Sequence, residues 1–154
     1  MKEIRLTRGF VAIVDDDDYS RVSAYRWRAS VDARTVYAKR TSSRRSGLQT
    51  IYMHRAILGD VCDGLEVDHI NLNGLDNRRA NLRLATRTQN KRNCAPYRKN
   101  SLAMKGVRWN GKWWVAQISI QGRTKYLGRC ATPSEAYRAY CAAAVPLHGE
   151  YAQL

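Results

Sequence analysis

The segment at residues 65–90 constrains the fold most strongly, because it alternates short apolar stretches with polar turn residues. Residues 65–70 and 82–85 have the length and composition of strands, and the loop between them is rich in Asn and Gly. Thr86 or Thr88 can cap a following helix that contains Asn90. The sequence therefore predicts a strand, a loop, a second strand and a helix, in that order.

Four polar side chains of this segment fit the hydrolysis of a phosphodiester, which needs an activated water and a cation that stabilises the developing charge. Asp68 and Asn90 offer oxygen ligands of the kind that Mg²⁺ prefers. His69 is a candidate general base, because an imidazole is largely neutral at physiological pH. An Asn81 side chain that accepts from one ring nitrogen would leave the other nitrogen as the proton acceptor.

The adjacency of Asp68 and His69 allows a second interpretation. Neighbouring residues on a regular strand face opposite ways, so one site can use both only where the strand twists or ends. The Asn-Leu-Asn-Gly that follows supplies such an ending. Alternatively, Asp68 caps the loop and His69 is a structural histidine. Spacing alone leaves both interpretations open.

The charge balance indicates a polyanionic partner. Lys and Arg total 27 against 13 Asp and Glu, which gives a net charge of +14. Each basic side chain placed on a phosphate releases condensed counterions and strengthens binding. The alternative is a basic surface kept for solubility, but colloidal stability asks only for a net charge of about 2 to 8 in a small domain. Nucleic acid is therefore the expected partner.

The sequence favours neither a membrane protein nor a disulfide-bonded protein. The chain has no apolar stretch near the length of a spanning helix, and its first residues, MKEIRLTRGF, lack the apolar core of a signal peptide. We therefore expect a soluble, intracellular protein without a membrane partner, and no obligatory protein partner is evident. The cysteines form no C-x-x-C pair and are expected to be reduced, although a zinc site built from Cys94 and a distant His is an alternative. They are Cys62, Cys94, Cys130 and Cys141.

The first 60 residues are predicted to be rich in strands. Residues 4–6 and 10–14 suggest a hairpin around Arg8-Gly9, and residues 35–39 and 49–53 suggest two strands that flank a basic loop. Arg44 and Arg45 in that loop are either phosphate contacts or part of a solvated turn. Of the four consecutive aspartates, Asp17 or Asp18 is expected to cap a short helix rather than to bind a metal. A second short helix is expected to stop at Gly59.

The last fifty residues predict a three-stranded antiparallel sheet packed on one helix. Strands at residues 105–109, 113–120 and 124–127 are separated by Asn110-Gly111 and Gln121-Gly122, which are tight-turn dipeptides. Thr132 begins a helix over residues 133–144, with Glu135 completing a capping box. Residues 91–102 are basic and poor in apolar anchors, which is typical of a linker.

The run from His54 to Asn90 resembles the HNH endonucleases of phage introns and related free-standing genes. The resemblance rests on M-H-R, V-D-H-I-N, L-D-N-R-R-A-N-L-R and the terminal Q-N. It implies a ββα-metal fold in which Asp68 and Asn90 bind one divalent cation, His69 activates water and Asn81 orients it. Asn at the final motif position, where other HNH branches have His, favours Mg²⁺ or another hard cation such as Mn²⁺.

Other residues of the HNH-like run receive secondary assignments. They are expected to shape the loop and to contact phosphate, with core packing or solvation as the alternative. This group comprises His54, Arg55, Asp76, Asn77, Arg78 and Arg79.

Residues 105–154 resemble the DNA-binding domain of plant ethylene-response factors, also called the APETALA-type domain. In that family the sheet lies in the major groove of double-stranded DNA. The alternation of a strand would turn Val107, Trp109, Trp114, Ala116, Ile118 and Leu127 toward the helix. Ser119 and Cys141 depart from the usual Arg and Asp of the family, so the plant base preferences are not transferred. The expected DNA contacts are Arg108, Trp113, Gln117, Arg123, Lys125 and Tyr126.

The sequence thus predicts an α+β protein: a ββα-metal (HNH) nuclease core plus a C-terminal three-stranded antiparallel sheet packed on one helix. The expected regions are a β-rich N-terminal region at 1–50, the nuclease core at 51–95, a linker at 96–104 and the DNA-binding domain at 105–154. The expected activity is metal-dependent cleavage of DNA at or near a recognised sequence. The alternatives are a non-catalytic DNA-binding protein, such as a transcription regulator, and an RNA-binding protein.

Overall fold

A computed structural model describes residues 1–32, 35–44, 47–59, 61–62, 64–95 and 102–154. Arg45, the side chain of Arg44 and most of the expected linker at 96–104 lie outside the described residues. The chain divides into two compact units, Met1–Asn90 and Lys91–Leu154. None of the described helices has the length and apolarity that crossing a bilayer requires.

The first unit opens with the predicted hairpin. Strands β1 (Lys2–Arg5) and β2 (Val11–Val14) pair antiparallel around a 3-10 turn, Thr7–Gly9. Arg8 and Gly9 both have positive φ, which reverses the chain in few residues. The hairpin prediction is confirmed.

Helix α1 (Asp16–Ser23) corrects the expected role of the aspartates. Asp17 and Asp18 lie inside its first turn, so neither is its N-cap, and Asp15 in the N-cap position makes no side-chain cap hydrogen bond. The carboxylate of Asp15 instead accepts from the backbone N–H of Arg79 at 2.7 Å. Asp18 is buried and binds the guanidinium groups of Arg79 and Arg21. The aspartates therefore fasten α1 to the loop before residue 82.

A three-stranded antiparallel sheet follows, formed by β3 (Arg28–Val31), β4 (Val36–Arg44) and β5 (Gly47–Tyr52) in that order. The sequence did not predict β3, because Arg-Ala-Ser-Val has only four residues and its alternation is too short to be a clear strand signal. Helix α2 (Met53–Leu58) ends at Gly59, as predicted, and Gly59 has a φ of 84°.

The predicted strand–loop–strand–helix order is confirmed. Strands β6 (Leu65–His69) and β7 (Leu82–Thr86) pair antiparallel, with Asp68 opposite Arg83 and His69 opposite Leu82. Helix α3 (Arg87–Arg92) follows directly. Thr86 caps it, since the Thr86 hydroxyl accepts from the N–H of Gln89 and the Gln89 carbonyl oxygen accepts from the N–H of Thr86.

One apolar core joins the elements of the first unit. Buried residues from the hairpin, α1, β4, α2, β6 and β7 belong to a single cluster. Met53 and Ile57 of α2 are its largest fully buried side chains, together with Val14 and Val22. The Trp27 indole is also buried and donates to the carbonyl of Val22 at 2.7 Å. The first 50 residues therefore support strands β6 and β7 through shared packing.

The second unit contains β8 (Val107–Trp109), β9 (Trp114–Ile120) and β10 (Arg123–Cys130), in the antiparallel order β10-β9-β8. Helix α4 (Pro133–His148) begins with the predicted capping box of Thr132 and Glu135. It continues past residue 144 and contains Pro146.

Small residues bring α4 close to the sheet. Ala136, Tyr140 and Ala144 of α4 are buried in clusters with Val107, Ala116 and Ile118 of the strands. A Cβ built on Gly106 would lie 2.1 Å from Cδ2 of Tyr140, so this position needs glycine. Trp109 was expected to face the helix but is 50% exposed. The centroid of its ring lies 5.1 Å from that of Trp114.

Candidate functional site

Asp68 and His69 end strand β6, and both are buried, with 4% and 5% of their surface exposed. Asp68 faces its partner in the ladder, and the Nε of Arg83 donates to its Oδ2 at 2.9 Å. His69 contacts a different set of residues, which follows from strand alternation.

The imidazole of His69 is held by Asn77. Its Nε2 lies 3.4 Å from the Oδ1 of Asn77, while the Asn77 Nδ2 donates to the carbonyl of Leu75. Because the amide nitrogen of Asn77 donates to Leu75, its oxygen faces His69 and accepts a hydrogen bond from the Nε2–H. Nδ1 is then the nitrogen able to take up a proton.

The Asn81 side chain is hydrogen-bonded to the loop between β6 and β7 and not to the His69 ring. Its Oδ1 accepts from the N–H of Asn71 at 3.0 Å, and its Nδ2 donates to the carbonyl of Asp76 at 2.8 Å. The expected contact of Asn81 with His69 is thus made by Asn77. Asn81 ends a 3-10 turn, Arg79–Asn81, which turns its side chain into the loop. Asn77 stood in the quoted L-D-N-R-R motif, but nothing in the spacing distinguished it.

The loop itself is seated on two strands. Backbone hydrogen bonds join Ile13 of β2 to Leu75 and Asn77, each at 2.8 Å. Gly74 is buried against β4, where a Cβ would lie 2.7 Å from Cδ1 of Tyr37. The Tyr37 ring in turn contacts the His69 ring, with centroids 5.9 Å apart. The position of His69 therefore depends on elements far away in sequence.

Both histidines of the first unit are neutral near pH 7. Burial lowers the pKa of His69, and the Asn77 hydrogen bond and the carboxylates of Asp68 and Asp76 oppose this effect. Burial, aided by His69 and Arg55, lowers the pKa of His54 to about 3. A neutral imidazole is the form that can accept a proton.

Asn90 reaches the strand that carries Asp68. From α3 its Nδ2 donates to the Oε2 of Glu66 at 2.6 Å. Glu66 lies two residues before Asp68, so the two carboxylates share a face of β6. Sequence reasoning missed Glu66, although the i, i+2 pair of acids on one strand was a usable signal.

A cleft of about 250 Å³ lies beside Glu66 and Asn90. Glu66, Asn90, His54 and Arg55 line it with Tyr37 and Tyr52. His54, expected to contact phosphate, is buried and stacked on Tyr52 with centroids 5.4 Å apart, whereas Arg55 is exposed. The described residues contain no group of three or more His, Cys, Asp or Glu able to hold a metal. A cation here would rely on amide oxygens and water as well as carboxylates.

Arg78 and Arg79 are bound to aspartates. Arg78 donates from Nε and Nη2 to Asp76 at 2.7 and 2.6 Å, and Arg79 donates from Nε and Nη2 to Asp18 at 2.7 and 2.9 Å. The hydrogen bonds to these carboxylates raise the pKa of both arginines. Both therefore contribute to the shape of the loop.

On the second unit, the strand register separates the expected DNA contacts. Val107, Ala116 and Ile118 face α4, so Arg108 and Gln117 lie on the outer face, where the Nε of Arg108 donates to Oε1 of Gln117 at 3.2 Å. Tyr126 pairs with Gln117 and shares that face, whereas Arg123 and Lys125 pair with Ile120 and Ile118.

The outer face also includes a residue that the sequence did not indicate. Arg129 pairs with Val115 in the register, on the side of Arg108 and Gln117. Its guanidinium carbon lies 5.7 Å from the centroid of the half-buried Trp113 ring. Arg108, Trp113, Gln117, Tyr126 and Arg129 are called the outer face of the sheet below.

Comparisons with known proteins find a family and a relative that resemble this chain in sequence. The sequence model of a family described as HNH endonuclease matches residues 52–92. An uncharacterized HNH endonuclease of Acanthamoeba polyphaga mimivirus is 30% identical over 146 residues, which is 94% of this chain and 74% of the relative. No solved structure matches significantly.

Proposed function

The chain belongs to the HNH endonuclease family, and we propose on this basis that it is a divalent-metal-dependent endonuclease that hydrolyses phosphodiester bonds of double-stranded DNA. The observation that carries the proposal is the arrangement on β6: a buried, neutral His69 beside Asp68, with Asn90 of α3 hydrogen-bonded to Glu66, two residues before Asp68 on the same strand. In this proposal β6, β7 and α3 form the ββα-metal core.

Asp68 and Asn90 are the proposed cation ligands. Their oxygen donors suit Mg²⁺ or Mn²⁺, and Mg²⁺ needs few protein ligands because it keeps several waters. The bond from Nδ2 of Asn90 to Glu66 supports this assignment, since it commits the amide nitrogen and leaves Oδ1 as the ligand atom. When bound, the cation would stabilise negative charge on the phosphoryl group and on the leaving oxygen.

His69 is the proposed general base. A water proton passes to Nδ1 as the water oxygen attacks phosphorus and the bond to the leaving oxygen breaks. The imidazolium formed in this step still donates a hydrogen bond from Nε2–H to the Oδ1 of Asn77, so the ring stays oriented while its charge changes. Asn81 acts through the loop that carries Asn77.

The second unit is the proposed DNA reader. Its three strands and one helix support the resemblance to the APETALA-type domain, and its outer face presents Arg108 and Gln117 side by side. Arg can bridge O6 and N7 of guanine, and Gln can pair with adenine. We assign recognition of the DNA sequence to this face, with residues 51–95 as the nuclease core and residues 105–154 as the reader. Arg123 and Lys125 pair with Ile120 and Ile118 on the other side of the sheet and are assigned as phosphate contacts.

A nicking assay tests the cutting proposal. Supercoiled plasmid is incubated with purified protein in Mg²⁺ or in chelator, and His69→Ala is compared with the wild type. Nicking should require the cation and fall at least about 100-fold in His69→Ala, because general-base catalysis typically contributes that much. His148→Ala, at a buried histidine of the second unit, is the matched control.

Two outcomes would contradict cutting by His69. One is DNA binding without cation-dependent nicking, which favours a non-catalytic DNA-binding protein. The other is equal nicking by His69→Ala and the wild type. Melting curves of each variant distinguish loss of chemistry from loss of fold.

A further inference from the structure

A second concave surface of the first unit lies apart from the candidate site. It has a volume of about 830 Å³ and is lined by Arg5, Arg26, Arg28, Arg40, Tyr25 and Trp27, with other residues of β1, α1 and β4. We call it the arginine groove. It has no described lining residue in common with the cleft beside Glu66 and Asn90.

The positive charge of the arginine groove is not neutralised within the described residues. Its four arginines face one acidic lining residue, Glu3, and none of the four forms an ion pair in the described part of the chain. Arg28 bonds the neutral hydroxyl of Thr41. Like charges gathered in one concavity repel each other and raise the local concentration of anions.

Other arginines of the same unit behave differently. Four of them form ion pairs with aspartates: Arg21 and Arg79 with Asp18, Arg78 with Asp76 and Arg83 with Asp68. These four arginines therefore have carboxylate partners within the fold. The arginine groove lacks such partners among the described residues, which points to an anion from outside the chain.

Arg40 is held in a form suited to a phosphate. Its guanidinium carbon lies 3.9 Å from the Tyr25 ring centroid and 5.6 Å from that of Trp27. Its Nε is buried and has no hydrogen-bond partner among the described residues. Stacking on aromatic rings fixes the plane of a guanidinium, and a planar fork of donors matches a phosphate group.

We propose that the arginine groove binds the phosphate backbone of DNA on a stretch that flanks the bond to be cut. The inference rests on the proposed function for the identity of the polymer, and it adds a binding surface that belongs to the first unit alone. Arg5, Arg26 and Arg28 are exposed and can contact a DNA strand, while Arg40 forms the fixed base of the surface.

The salt dependence of DNA binding tests this proposal. The full chain is titrated with duplex DNA in chelator at several salt concentrations, and the slope of log K against log salt is compared between the wild type and Arg26→Gln/Arg28→Gln. Each phosphate contact contributes about 0.9 to the slope, so the double variant should lose about 1.8. Arg26→Lys/Arg28→Lys should recover most of it.

Arg8→Gln/Arg138→Gln is the matched control. Both residues are exposed, neither lines the arginine groove, and the charge lost is the same. Its slope should stay near that of the wild type. Equal losses in the two double variants would overturn the proposal, because the effect would then follow net charge only. An unchanged slope in Arg26→Gln/Arg28→Gln would also overturn it.

Cutting is measured separately, so that the two proposals fail in different ways. At low DNA concentration, Arg26→Gln/Arg28→Gln should nick more slowly than the wild type, and the difference should shrink as the DNA concentration rises, since flanking contacts act on binding. A fall to the level of His69→Ala at saturating DNA would overturn the flanking role. If the wild type does not nick at all but the slopes differ as expected, the nuclease proposal fails and the arginine groove stands.

Discussion

Single side chains around His69 have distinct roles, and the Asn77 amide is hydrogen-bonded to the proposed base. Asn77→Ala removes the acceptor of the Nε2 proton, so the ring loses both its orientation and the support for its imidazolium form. We expect the nicking kcat to fall by about tenfold or more, while KM for DNA changes little.

The control for Asn77→Ala is Asn110→Ala, which removes an asparagine that caps a turn in the second unit. It should leave kcat unchanged. A wild-type kcat in Asn77→Ala, measured on a variant with a normal melting curve, would remove Asn77 from the mechanism.

Glu66 acts on the proposed cation site through Asn90. Its carboxylate accepts from Nδ2 of Asn90 and fixes the orientation of that amide. Glu66→Gln keeps the size of the side chain but weakens this bond. The Mg²⁺ concentration for half-maximal nicking should rise by about tenfold or more, in line with the loss of an orienting partner of a ligand.

The same maximal rate should be reached by Glu66→Gln at high Mg²⁺, because His69 and Asn77 are untouched. Asp32→Asn, a change of one carboxylate that lines the same cleft, is the control. If Glu66→Gln required no more Mg²⁺ than Asp32→Asn, Glu66 would have no part in cation binding.

Asp18 links acid stability to the loop of the site. Its hydrogen bond from Arg79 holds the pKa below the ordinary value of 3.8, against the opposing effect of burial. A lowered folded-state pKa adds stability above the unfolded pKa and loses it as the pH falls through the folded pKa. Asp18→Asn should therefore cost about 1–2 kcal/mol of unfolding free energy at pH 7, a modest figure because both arginines are half exposed.

The pH dependence is the check on Asp18. Urea unfolding at pH 7 should separate Asp18→Asn from the wild type, and the difference should shrink steadily below about pH 4. Asp16→Asn, at an exposed position of the same helix, should show a smaller difference at pH 7. A constant gap at all pH values would mean that packing, not charge, is the cause.

At the scale of elements, the sequence predicted those helices, strands and turns that depend on residues close together in the chain. The first hairpin, the capping box of α4 and the order of β6, β7 and α3 follow from turn residues, caps and apolar spacing. Strand β3 was missed because it has only four residues, none of them buried, which is a weak strand signal even though it pairs with β4 as a local hairpin. The role of Asp15 was missed for a different reason, because its partner Arg79 is distant in sequence.

Close packing of α4 on the sheet depends on Gly106. A Cβ there would meet the Tyr140 ring, and the φ of 74° is unfavourable for other residues. Gly106→Ala should cost at least about 2 kcal/mol, from overpacking and backbone strain together. Thermal unfolding measures this loss.

Gly111→Ala separates the two causes. Gly111 also has a positive φ, of 96°, but a Cβ there would meet nothing within 4 Å. It should therefore show only the strain, about 1 kcal/mol. Equal destabilisation by the two variants would show that contact with Tyr140 is not the reason for glycine at position 106.

At the scale of the molecule, the site was predictable as a set of residues but not as a set of contacts. Asp68 and His69 end a strand as expected, and α3 brings Asn90 to that strand. The exchange of roles between Asn77 and Asn81 could not be read from the sequence, because it depends on how the loop lies on β2 and β4. The spacing of residues in the sequence identifies the candidate site residues, and tertiary contacts determine which of them form hydrogen bonds with each other.

The division of the chain into two units predicts that recognition and cutting can be changed independently. Arg108 lies on the outer face of the second unit, and His69 lies in the first. With a target duplex selected from a random pool, Arg108→Ala should weaken specific binding by about 1–3 kcal/mol and affect non-specific binding less, since a base contact is lost. Its nicking rate on saturating non-specific DNA should equal that of the wild type, whereas His69→Ala should bind the target normally and not cut it.

Arg138→Ala, at an exposed position of α4, controls for the loss of one charge. Equal losses of specific and non-specific affinity in Arg108→Ala would exclude base recognition by this residue and leave it a phosphate contact.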